Sequence, residues 1–74
     1  MNGKELSMGE RAYAAIKARA QEKGITFAEE CQLLGTSHIT IACGKRKKSN
    51  SGSWLIAEMY RQGYNIGWVL TGEE

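Results

Sequence analysis

Helix starts and glycine stops constrain this chain more than any other feature. Ser7-Met8-Gly9-Glu10 and Thr26-Phe27-Ala28-Glu29 each set a hydroxyl three residues before a glutamate, the spacing of a capping box. Gly24, Gly35, Gly63 and Gly72 each follow a stretch of helix formers, where a left-handed residue ends a helix. There is no proline to break a helix. The punctuation predicts an all-α fold of five short helices. The first runs from the Ser7 cap to about Lys23, and the second from Phe27 to Leu34. The third runs from a Ser37 cap to Cys43 or Gly44. The fourth runs from Trp54 to Arg61 after Ser53, and the fifth from Ile66 to Leu70 after Asn65. Ile39 and Ile41 alternate as in a strand, but the Ser37 cap favours a helix there.

Periodicity assigns the core. Ala12, Tyr13, Ile16 and Ala20 recur on one face of the first helix, and Leu55, Ile56 and Met59 on one face of the fourth. Trp54 and Trp68 are expected as core or anchor residues, with Ile66, Val69 and Leu70 densely packed around Trp68. Tyr60 and Tyr64 are expected to be partly exposed, where they would suit a dimer contact. A chain of 74 residues makes one domain, 1–74, with a core from about 7 to 72.

Cys31, Cys43 and His38 are too few, and too far from paired short spacings, for a structural zinc site. No metal or other cofactor is expected. The N-terminus lacks the apolar segment of a signal peptide, and no apolar run could span a bilayer. The expectation is therefore a cytoplasmic chain with free thiols, no membrane partner and no small-molecule substrate. No nucleophile, ligand set or phosphate loop points to an enzyme. Cys31 reads as core packing, and Cys43 as an exposed thiol with nothing to activate it.

The formal net charge is only +2, but its distribution is uneven. Lys45, Arg46, Lys47 and Lys48 form the one dense charge run, and no acid lies between Glu30 and Glu58. A locally pure positive stretch suits a phosphate contact, and equally a solvated loop from Lys45 to Gly52. Just upstream, Thr26 to Arg46 holds two short helices joined by a tight turn at Gly35. Small Cys31 lies where the helices would cross, and Leu34 and Ile41 would fill the wedge between them. That is the pattern of a helix-turn-helix.

Lys23-Gly24-Ile25-Thr26-Phe27-Ala28-Glu29, Leu34-Gly35-Thr36-Ser37, Thr40-Ile41, Trp54-Leu55-Ile56 and Tyr64-Asn65-Ile66-Gly67-Trp68-Val69-Leu70-Thr71-Gly72-Glu73 stand in one frame. Together they resemble the DNA-binding domain of lambda-type phage repressors, of the XRE-type helix-turn-helix family. The sequence departs from that family at Phe27, where Gln is usual, at Glu30, where a hydrophobic residue is common, and at Gly44, where a large residue is common. The resemblance implies a bacterial transcription regulator of phage or prophage type, bound to a double-stranded operator and acting by occupancy. It also implies a homodimer on half-sites about one helical turn apart.

On that resemblance the third helix enters the major groove. Ser37, His38 and Ile39 would face the bases, with Ala42, Cys43 and Arg46 one turn on. His38 would donate to guanine, Ile39 would touch a thymine methyl, and Arg46 would make a base contact. Thr40 would lie between bases and backbone. Lys45, Lys47 and Lys48 would bind phosphate, and Thr26 and Ser37 would offer helix N-termini to it. Phe27 occupies the family's phosphate-contacting position. The alternative is the same fold used as a protein-interaction module without tight DNA binding. A metal- or redox-responsive switch built on Cys31, His38 and Cys43 is a more remote alternative.

Overall fold

The computed structural model describes residues 5–47 and 53–73, and over them the chain is all-α. The helices are α1 (Met8–Lys23), α2 (Phe27–Leu33), α3 (His38–Lys47), α4 (Ser53–Arg61) and α5 (Ile66–Thr71). Lys48 and the polar run after it lie outside the described residues.

The caps form as the sequence predicts. Ser7 Oγ accepts from the Glu10 amide at 3.2 Å, and the Glu10 carboxylate accepts from the Ser7 amide at 3.0 Å. Thr26 and Glu29 repeat the exchange at 3.1 and 3.0 Å. Each cap stabilises its helix by about 1 kcal/mol. Asn65 Oδ1 accepts from the Trp68 amide at 3.1 Å and starts α5. Three helix ends share one device. The amides of Ile25, Thr36 and Tyr64 reach back to the carbonyls of Ala20, Cys31 and Met59, at 3.0 Å in each case. At Gly35 this reversal needs φ of +80°, which only glycine adopts cheaply, and it turns the chain from α2 into α3.

α3 differs from expectation. It continues through Gly44 to Lys47, so the basic residues 45–47 extend the helix and do not begin a loop. Lysine and arginine are good helix formers, and a single glycine costs only about 1 kcal/mol, so Gly44 weakens the helix without ending it. At its start Ser37 Oγ accepts from the Thr40 amide at 3.1 Å. Ile39 is 66% exposed while Ile41 is 5% exposed, an opposition that belongs to the helix.

α1 is the axis of the molecule and packs against α2, α3 and α5, while α4 packs against α5. Its Ala12 and Ile16 meet Cys31, Leu34, Ile41, Leu55, Met59, Tyr64 and Val69 in one core. Three expectations fail here. Trp54 is 53% exposed, because it lies one residue off the stripe of Leu55 and Met59 and so points about 100° away from the core. In α5 only Val69 is fully buried. Trp68 is half-buried and packs on the core as an anchor, whereas Leu70 is 46% exposed, since a six-residue helix offers the core a single narrow face. Tyr64, expected at the surface, is buried.

Polar side chains explain Tyr64. Its hydroxyl donates to Glu30 Oε2 at 2.5 Å, and the Arg19 guanidinium lies 4.2 Å from the centre of its ring. Glu30 is fully buried, and its other oxygen accepts from Lys23 Nζ at 2.8 Å. Arg19 also donates to the carbonyls of Gln62 and Gly63 at 2.9 and 3.1 Å. Buried Arg11 donates to the carbonyls of Val69 and Leu70 at 2.8 and 3.0 Å, and to that of Leu6. Two arginines of α1 thus hold both ends of the α5 segment. Among the described residues no buried side-chain polar atom lacks a partner.

Burial opposes ionisation of Glu30, but hydrogen bonds from Lys23 and Tyr64 and the charges of Lys23 and Arg19 outweigh it. Its carboxyl stays below the usual range. The folded value is depressed, so its stabilisation is present above the ordinary carboxylate range and disappears as pH falls through the folded value. Burial first, and then the Glu30 carboxylate, raises the Tyr64 phenol, whose contribution is instead lost as pH climbs above the ordinary tyrosine range.

The packing and the buried acid can both be tested by substitution. Met59→Ala should cost about 2–5 kcal/mol and Trp54→Ala under about 1 kcal/mol, by chemical denaturation. A larger loss at Trp54 would contradict its placement. Tyr64→Phe should cost about 1.5–3 kcal/mol, the range for a hydrogen bond to a charged group. Glu30→Gln should flatten the fall of the thermal midpoint between about pH 5 and pH 3. An unchanged acid limb would mean that Glu30 does not carry it.

Candidate nucleic-acid interface

The α2–turn–α3 pair is set by its inner side chains. Cys31, Leu34 and Ile41 are buried against α1, which leaves the start of α3 facing outward. Ser37, His38, Ile39 and Thr40 are four consecutive exposed residues there. The Ser37 and Thr40 hydroxyls lie 2.9 Å apart, so each stiffens the other. Ala42 and Cys43, expected to face outward, are half-buried, because α3 turns them toward the flank of Ile41. Lys45, Arg46 and Lys47 follow in the same helix, their side chains outside the described set, and Lys48 lies beyond it.

Two of the residues expected beside phosphate behave differently from their neighbours on α3. Phe27 is half-buried, its ring 4.8 Å from that of Tyr13. Phe27 thus spends its side chain on a contact with α1. Thr26 is exposed, but its hydroxyl and amide are both engaged by Glu29. Hydrogen bonds from the Thr26 backbone, and then from its hydroxyl, hold the Glu29 carboxyl below its usual range. The N-terminus of α2 therefore already carries an anion.

α3 is the contrary case. Its first turn contains no acid, and Ser37 caps it with a neutral hydroxyl. A helix N-terminus attracts anions through its amides and dipole. Of the two helix starts, that of α3 alone carries no acid.

The cysteines and the histidine do not assemble. Among the described residues no three His, Cys, Asp or Glu side chains form a group suited to a metal ion. Cys31 and Cys43 are free thiols. Burial, and then the neighbouring Glu30 charge, pushes the Cys31 thiol up to about 11, away from thiolate chemistry.

A separate surface lies across the molecule. An apolar groove of about 520 Å³ is lined by Met8, Ile56, Ala57, Tyr60, Ile66 and Leu70, together with Ser53. Tyr60 is 72% exposed on it. It shares no lining residue with α2 or α3. No helix among the described residues is long and apolar enough to cross a membrane.

The chain matches no family model, no curated protein and no solved structure.

Sequence reasoning misses the support beneath the interface. Lys23, Glu30 and Tyr64 tie α2 to α1 and to the α4–α5 turn. The signal for it is an acid at a position whose neighbours, Cys31 and Leu34, are core. A glutamate on a buried helix stripe requires a cation and a hydroxyl nearby, and the sequence contains both.

Thiol labelling checks the placement of the cysteines. In the native state Cys43 should react with an aromatic disulfide reagent, and Cys31 only at the rate of unfolding. Equal native rates would place Cys31 outside the core.

Proposed function

We propose that this chain is a DNA-binding regulator in which α2 and α3 form a helix-turn-helix, with the overall arrangement of a lambda-repressor-like domain. The observation that carries the proposal is the exposed, acid-free start of α3, from Ser37 to Thr40, on a helix that runs on into the basic residues 45–47. Bases are read by side chains at such an end, and phosphates by cations beside it. His38 is the candidate donor to guanine and Ile39 the candidate contact to a thymine methyl group. Lys45, Arg46, Lys47 and Lys48 are the candidate phosphate cations, and Arg46 is also the candidate for a base contact.

The mechanism is occupancy. A protein seated on an operator excludes polymerase, and no bond is made or broken, so the role is not enzymatic. The setting is the bacterial cytoplasm, in a phage or prophage context. On a near-palindromic operator a homodimer would engage two half-sites. Phe27 packs on Tyr13 and helps seat α2 on α1.

A second reading, a protein-interaction module, has one observation in its favour. The groove carrying Tyr60 and Leu70 is apolar and lies away from α3.

Selection of bound duplexes from a random pool, at near-physiological salt, separates the two. Enrichment of one short motif is the expected result, and recovery of none from folded protein supports the interaction module. Alanine at Lys45, Arg46, Lys47 and Lys48 together should weaken binding to all sequences. It should also reduce the salt dependence by about one unit of slope for each phosphate that is no longer neutralised. His38→Ala should instead relax preference at one base pair. An unaltered affinity in the quadruple variant would remove the DNA assignment.

A further inference from the structure

Glu30 sits where a hydrophobic side chain would fill the same space. It is fully buried, and both of its oxygens are engaged: Oε1 by Lys23 at 2.8 Å and Oε2 by Tyr64 at 2.5 Å. Buried ion pairs seldom stabilise more than an apolar residue of equal volume, because desolvation offsets the attraction. What they supply is direction. An apolar contact permits sliding and rotation, whereas two charge-assisted hydrogen bonds at fixed angles do not.

The three partners come from three places. Lys23 ends α1, Glu30 lies in α2, and Tyr64 lies in the turn between α4 and α5. Arg19 of α1 stacks on the Tyr64 ring and anchors the same turn through Gln62 and Gly63. A second tie runs parallel to the first: Gln62 Nε2 donates to the Leu33 carbonyl at 2.9 Å, at the end of α2. The C-terminal half of α2 is thus fixed from two sides just before Gly35 reverses the chain into α3.

We propose that Glu30 is a positioning residue, and that the Lys23–Glu30–Tyr64 triad sets the angle of α2 on α1 and so the presentation of Ser37 to Thr40 at the start of α3. The charged and titratable groups facing Glu30 are Lys23 and Arg19 from α1 and Tyr64 from the α4–α5 turn, with the Cys31 thiol beside it on α2. The positioning itself is independent of what α3 contacts. Its consequence for DNA affinity rests on the DNA-binding reading above.

The test replaces the polar pair by shape. Glu30→Met combined with Tyr64→Phe removes both hydrogen bonds and leaves no buried polar atom behind. The thermal midpoint should stay within about 5 °C of the parent, under about 1 kcal/mol for a domain of this size. Amides of α2 and of the turn to α3 should exchange about tenfold faster relative to those of α1. Affinity for a duplex selected by the parent should fall about tenfold with residues 37–48 unchanged. Tyr64→Phe alone strands Glu30 Oε2 and should lower the midpoint more than the double variant does.

A collapse of the midpoint with uniformly faster exchange would assign the triad to global stability and overturn the proposal. So would an unchanged exchange pattern at equal stability. Should the parent select no motif, the exchange measurement still decides the positioning role, and only the link to DNA falls.

Discussion

Helices of six to ten residues do not persist alone in water, because nucleation costs more than so few hydrogen bonds return. α2, α3, α4 and α5 are all of that length, and only α1 is longer. Docking is therefore the condition for their existence, and α1 is where most of it occurs. Ala12 and Ala20 keep that face of α1 low enough for neighbouring backbones to approach, and Ile16 supplies the bulk between them. The caps decide where each short helix begins, and α1 decides whether it forms.

A core this small leaves much of the fixing to polar side chains. Arg11 takes up the carbonyls of Val69 and Leu70 in the last turn of α5, and Arg19 takes up those of Gln62 and Gly63 just past the end of α4, where helices leave carbonyls unsatisfied. Guanidinium groups suit the task, with a rigid fork of donors that reaches two carbonyls at once. Glu30 does for α2 what Arg11 does for α5. Directional contacts tie α1 to α2 and α5, and the α4–α5 turn to α2. Their effect is to fix angles between elements. Angles are what a surface made from the start of one helix needs.

Local signals are legible in the sequence, and long-range ones are not. The capping boxes at Ser7 and Thr26, the turn at Gly35 and the burial of Cys31, Leu34 and Ile41 follow from neighbours within one turn of helix. The end of α3 is misleading because Gly44 beside a polar run resembles a stop, while the propensity of residues 45–47 favours continuation. Trp54 and Leu70 look like core residues on size alone. Burial is decided by the angle around the helix, and there Leu55 and Val69 take the inner positions. Tyr64 is hard to place because its partner lies 34 residues away in the sequence, at Glu30. Glu30 itself is visible as an acid out of place, yet nothing local tells a buried triad from a disrupted core.

The candidate surface turns on a contrast between two neighbouring helix starts. Both have a hydroxyl cap, but α2 follows its cap with Glu29 and α3 follows its cap with His38, Ile39 and Thr40. A carboxylate at N3 completes a capping box and satisfies the helix from within. It also repels any incoming anion. Leaving that position neutral in α3 forgoes a second capping hydrogen bond and leaves its first turn without a carboxylate. The same comparison separates this end from the apolar groove at Tyr60 and Leu70, which offers area without direction. A partner there would be held by burial and would tolerate variation in angle. A partner at α3 would depend on how α2 is seated, and therefore on whether Glu30 keeps both of its hydrogen bonds.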